Sequence, residues 1–117
     1  MHRTDQALRL ISREVIQQMA ALIAQNFHPE KIILFGSYAR GEATVNSDVD
    51  LMVIMKNPSP RPDRAVPIIR LIHEHINEPV DIIVRSPEGF DAWSQSPFSL
   101  SNQVIKEGKV LYEKPRE

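Results

Sequence analysis

Apolar residues recur at three- and four-residue steps through the first part of the chain: Leu8, Ile11, Val15, Met19, Leu22 and Ile23. That spacing lines one side of a helix and predicts an amphipathic helix over residues 4–26. Thr4 is its expected N-cap, with Asp5 complementing the positive end of the dipole. The helix is expected to stop between Asn26 and His28, because Pro29 disfavours helical geometry at the residue before it. The pattern then changes to short continuous apolar runs. Ile32-Ile33-Leu34-Phe35 predicts a strand over residues 31–36 whose two faces are both covered. Gly36-Ser37 breaks it, Tyr38-Ala39-Arg40 reads as a short helical turn, and residues 41–46 read as a loop. A second buried strand is expected over 49–55, followed by a proline-rich surface loop over 57–62. Ile69, Ile72 and Ile76 give a helix over 66–76, with Pro67 tolerated in its first turn. A third strand covers 80–84. Residues 86–99 show no clear period, 100–106 read as a short helix stopped by Gly108, and 110–112 as a last strand. The charged tail 113–117 is expected to fray. Helices alternating with strands predict a layered α/β domain, with residues 1–117 forming one domain.

Composition narrows the function. A chain of 117 residues makes one ordinary domain and buries enough surface for a real core. A net charge of −1 provides no global basic field, which argues against DNA binding. The absence of cysteine excludes disulfides and thiolate metal sites, and fits a cytoplasmic protein. No apolar run approaches the ~20 residues of a membrane helix, and polar residues interrupt any signal-peptide core at the N-terminus.

The chemistry concentrates in three aspartates. Asp48 and Asp50 stand two apart at the entrance to a strand, so both side chains point to one face, with Cα atoms ~6.6 Å apart at ~3.3 Å per residue. Asp81 is the lone acid inside Pro79-Val80-Asp81-Ile82-Ile83-Val84. If its strand pairs with that of Asp50, the three carboxylates share one spot. Carboxylates in apolar strands pay heavily for lost water and repel one another, and a divalent cation reverses both effects. Oxygen donors without cysteine or histidine in these motifs favour Mg²⁺ or manganese over zinc. The Gly36-Ser37 turn adds a phosphate cradle: Gly36 allows close backbone approach and Ser37 offers a hydroxyl. No lysine-bearing Walker pattern is present, so this is not a P-loop. Arg40 is placed to contact phosphate or a partner.

Other features read as structural. His73 and His75 lack the four-residue spacing of a helical zinc pair and read as surface residues. Phe90, Trp93 and Phe98 read as core or as a partner-facing patch. Ser94, Ser96 and Ser99 have no evident partners as nucleophiles. Arg61 and Arg64 read as solvated loop residues, and Arg85 is a possible ion-pair partner for Asp81.

Gly36-Ser37-Tyr38-Ala39-Arg40-Gly41 followed by Ser47-Asp48-Val49-Asp50-Leu51 resembles the signature of the DNA-polymerase-β-like nucleotidyltransferase superfamily. The short length, Ala39-Arg40-Gly41 and the ending Ile105-Lys106-Glu107-Gly108-Lys109-Val110-Leu111-Tyr112 are similar to the minimal nucleotidyltransferases (MNT), the antitoxins of HEPN/MNT toxin–antitoxin pairs. The resemblance implies a small mixed β-sheet of four to five strands flanked by helices, the polymerase-β-like palm. It implies that Asp48, Asp50 and Asp81 hold two Mg²⁺ ions and that Asp81 assists as a base. Gly36 and Ser37 would bind the ATP triphosphate, with Arg40 and Ser47 as further nucleotide contacts. The implied reaction moves AMP to a tyrosine of a HEPN-family toxin partner. Neutralisation by steric binding alone, or transfer to a small antibiotic-type acceptor, are the competing expectations.

Overall fold

Alternate residues of the strands over 31–35 and 49–54 enter two different cores, which is why these runs are so nearly continuously apolar. The computed structural model describes residues 10–56, 64–95 and 100–115. These form α1 (Arg13–Phe27), β1 (Lys31–Phe35), a one-turn α2 (Ser37–Arg40), β2 (Val49–Ile54), α3 (Val66–His75), β3 (Val80–Arg85), α4 (Pro87–Ser94), α5 (Leu100–Glu107) and β4 (Lys109–Glu113). The sheet order is β3-β2-β1-β4. β1 runs antiparallel to both β2 and β4, whereas β2 and β3 are parallel. A parallel pair needs a crossover, and α3 supplies it.

One face of the sheet carries Ile32, Leu34, Val49, Leu51, Val53, Ile82 and Val84 against Ile16, Met19, Ala20 and Ile23 of α1 and Ile68 and Ile72 of α3. The other face carries Ile33, Phe35, Met52 and Ile54 against Phe90 of α4 and Val104 of α5. Leu51, Met52 and Val53 in the interior strand β2 are all fully buried. Each such side chain contributes roughly 1.5–3 kcal/mol relative to an exposed one. The expected mixed sheet with covered faces is therefore present, with four strands among the described residues. Among those residues no helix is long and apolar enough to cross a membrane.

Several boundaries differ from expectation. Among the described residues α1 starts at Arg13: Ser12 is its cap, and its hydroxyl accepts from the Val15 amide at 3.2 Å. Leu10 and Ile11 are not helical, so the helical period does not run unbroken from residue 4. The Thr4 cap lies outside the described residues. His28 closes the helix in the left-handed region at φ 52°, as Pro29 excludes ordinary helical geometry before it. Residues 87–94 form a helix the pattern does not show, since Gly89 weakens its helical propensity; Pro87 stands at the first position, where proline is tolerated. Glu113 is not frayed. It is paired with Lys31 in β4, and the Lys114 amide donates to the Glu30 carbonyl at 2.9 Å. The proline-rich 57–62 segment, Arg61 and Phe98 lie outside the described residues, and so does the Trp93 side chain.

Replacing Ser12 by alanine removes the side-chain acceptor at the start of α1. The expected cost is about 1 kcal/mol, read as a lower urea midpoint at unchanged m-value.

Candidate active site

The parallel ladder decides where the acids meet. Asp50 on β2 is the register partner of Asp81 on β3. Register partners project to the same face of a sheet. That face is the one carrying Met52 and Ile54, and Asp48 precedes β2 with the same parity. Asp50 is half-buried, whereas Asp48 and Asp81 are exposed. Burial, then the charge of Asp81, then that of Asp48, push the Asp50 carboxyl above its ordinary range, and Arg40 pulls it back. The three acids and Arg40 thus share one electrostatic neighbourhood. Arg85 does not neutralise Asp81. Its guanidinium donates to the Val84 carbonyl at 3.0 Å, and among the described residues the two form no ion pair.

The glycine turn abuts the same place. Phe35 is the register partner of Asp50 on the opposite side from Asp81, so Gly36 follows directly beside the acid. Gly36 has φ 75° and ψ −158°, a conformation nearly confined to glycine. A Cβ built there would overlap Asp50 Oδ2 and stand 3.0 Å from its Cγ. Gly36 begins α2 with no side-chain cap, while its carbonyl accepts from the Ala39 and Arg40 amides at 3.0 and 3.1 Å. The first amides of α2 therefore have no side chain of their own cap residue to satisfy them. Tyr38 anchors the turn from behind, its hydroxyl accepting from the Ile11 amide at 3.0 Å.

Arg40 and Ser47 are engaged within the protein. Arg40 Nε donates to Glu42 at 2.9 Å and its Nη1 to Glu107 at 3.4 Å. Ser47 Oγ accepts from the Thr44 amide at 2.9 Å and holds the loop before Asp48. Glu107 is a site neighbour that sequence reasoning missed, because it lies 67 residues from Arg40. Glu42, two residues from Arg40, was open to a local charge-pair argument.

Among the described residues no three Asp, Glu, His or Cys side chains form a ready-made cation cage. The residues nonetheless fit Mg²⁺ held jointly with substrate. That ion takes one or two carboxylates and completes its octahedron with phosphate oxygens and water. The raised Asp50 carboxyl, repelled by two neighbouring acids, is the group such a cation would relieve.

Comparison with known proteins gives the family. Residues 17–117 match the family model described as polymerase beta, nucleotidyltransferase, and the chain belongs to that family. It is a nucleotidyltransferase. A Methanocaldococcus jannaschii protein named "Putative protein adenylyltransferase" is 34% identical over 83 residues, covering 71% of this chain and 78% of its own. Two solved structures share the fold. A chain of a toxin–antitoxin complex with AMP-PNP matches at TM-score 0.61 and 21% identity, covering 84% of this chain and 73% of that one. A chain of the tri-AMPylated Shewanella oneidensis HEPN toxin in complex with MNT antitoxin matches at TM-score 0.57 and 17% identity, over 89% and 74%.

Proposed function

We propose that this chain transfers AMP from ATP to a tyrosine hydroxyl of a HEPN-family toxin, and so acts as its cytoplasmic antitoxin. The observation that carries the reading is the in-register pair Asp50–Asp81 with the Gly36 turn pressed against Asp50. The acceptor class draws support from the adenylyltransferase name of the relative and the toxin–antitoxin setting of the structural neighbours. Residues 1–117 work as one minimal transferase domain.

In this reading Gly36 and Ser37 receive the triphosphate, with Ser47 steadying the approach to Asp48. Asp48, Asp50 and Asp81 would hold two Mg²⁺ ions, which supply charge stabilisation on the attacking and leaving oxygens. The acceptor oxygen bonds to the α-phosphorus as the bond to pyrophosphate breaks, and Asp81, the exposed acid, takes the hydroxyl proton. Arg40 exchanges a carboxylate partner for phosphate as the nucleotide enters.

The test incubates the purified chain, Mg²⁺, ATP labelled on the α-phosphate and the product of the adjacent gene. Label is expected on a partner tyrosine, and chelation with EDTA reduces it to background. An unlabelled partner alongside an intact, ATP-binding chain removes the protein-acceptor reading.

A further inference from the structure

Asp81 stands on an edge strand, and among the described residues only part of that edge is closed. β3 is the outermost strand next to β2. The Val49 amide donates to the Pro79 carbonyl at 3.1 Å and the Met55 amide to the Arg85 carbonyl at 2.9 Å. In a parallel ladder these bonds fix the phase. Residues 79, 81, 83 and 85 address β2, and Val80, Ile82 and Val84 turn their N–H and C=O groups to the open side. The Val84 carbonyl is taken: Arg64 Nη2 donates to it at 2.6 Å and Arg85 Nη1 at 3.0 Å. Among the described residues no such cover is given to Val80 or Ile82, the two residues flanking Asp81. Exposed edge strands invite pairing, and proteins usually block them. Among the described residues the block stops short of Asp81.

We propose that the acceptor polypeptide docks as an added strand on the Val80–Ile82 edge of β3, and so presents its hydroxyl beside Asp81. This rests on the transfer reading above and names the form in which the acceptor is recognised. Strand addition uses main-chain bonds for affinity and alternate side chains for specificity. An acceptor residue level with Asp81 projects onto the face that carries Asp50 and Asp81, since cross-strand neighbours share a face. The occupant has a second required feature. Arg64 and Arg85 stand at the far end of the edge, and neither forms an ion pair among the described residues. An extended segment with a hydroxyl residue near Asp81 and a carboxylate some three residues away matches both ends. A folded helix offers no unpaired backbone groups to this edge.

The experiment uses the full chain and a synthetic peptide of alternating threonine and valine with one central tyrosine and a terminal aspartate. Amide hydrogen exchange is followed residue by residue, and AMP transfer is measured in the same samples. The peptide is expected to slow exchange at the Val80 and Ile82 amides at least tenfold. N-methylating the peptide is expected to weaken binding at every second residue only, a period that non-strand binding does not produce. Val80→Pro removes one outward donor without touching the β2–β3 ladder. It is expected to weaken peptide binding at least tenfold while the melting temperature and the ATP-induced thermal shift are retained. Protection without transfer supports the docking mode and counts against the AMP chemistry. Transfer without protection at Val80 and Ile82 overturns the docking mode and leaves the chemistry standing. Neither protection nor a period of two overturns it as well. Should Val80→Pro lower the melting temperature, the N-methyl series on the unaltered chain decides.

Discussion

Asp50→Asn is expected to abolish AMP transfer and, at the same time, to raise the melting temperature. The carboxyl of Asp50 is half-buried and faces Asp81 and Asp48, and both burial and these charges disfavour its ionised form. Its folded-state value lies above the ordinary one, so folding takes up protons and the wild-type chain gains stability as pH falls through that raised value. At neutral pH the ionised group opposes folding, and asparagine of nearly equal size removes that opposition. The melting temperature is therefore expected to rise, not fall. The gap between variant and wild type should close as pH drops below the ordinary carboxyl value of 3.8, where both side chains are neutral. Activity moves the other way. On the proposed reading Asp50 helps to hold Mg²⁺; its loss then removes several kcal/mol of charge stabilisation, and at ~1.4 kcal/mol per decade the rate falls by about three decades or more. Thermal scans at pH 3.5 and 7, with transfer assays at pH 7, read both effects. An Asp50→Asn chain that transfers at the wild-type rate removes this acid from the chemistry.

Gly36→Ala is expected to damage stability and activity together. The backbone at φ 75° and ψ −158° is strained for any residue with a Cβ, at a cost of about 1–3 kcal/mol. The new methyl also overlaps Asp50 Oδ2 and approaches Asp50 Cβ to 3.3 Å, so either the turn or the acid must move. A fall of roughly 5–15 °C in melting temperature follows from the strain. The displaced acid should reduce transfer about a hundredfold or more, since small misplacements of reacting groups carry penalties of that order. Ser37→Ala is the control for the stability change alone: residue 37 is helical, so the change introduces no such strain. A Gly36→Ala chain with wild-type melting and ATP binding shows that the turn is not pressed against Asp50.

The opposite stability signs of these variants separate two roles within one cluster. Asp50 carries an electrostatic cost to folding, which the proposed role in transfer accounts for. Gly36 leaves the space that Asp50 occupies, which a Cβ would fill.

Much of this was legible from the residue pattern. The apolar runs at 32–35, 49–54 and 80–84 can satisfy only buried strands, and Asp81 stands out because it interrupts one. Gly36-Ser37 after a strand announces a turn for the same local reason. The helix at 87–94 was not legible, because its stability comes from Phe90 packing under the sheet rather than from propensity. Nor was the true start of α1, where the Ser12 hydroxyl bond to the Val15 amide sets the boundary.

Local chemistry therefore specified which groups are available: three acids, a glycine that admits close approach, and strands to carry them. It could not specify register. Strand pairing joins residues 31 positions apart, and a shift of one would send Asp81 to the opposite face from Asp50. The parallel crossover through α3 decides that alignment, and with it the raised carboxyl of Asp50 and the place of Asp81 on the sheet edge; the Arg40–Glu107 contact is set separately, by residues of two helices 67 positions apart in sequence. These depend on distances through space between segments whose separation along the chain carries no such information.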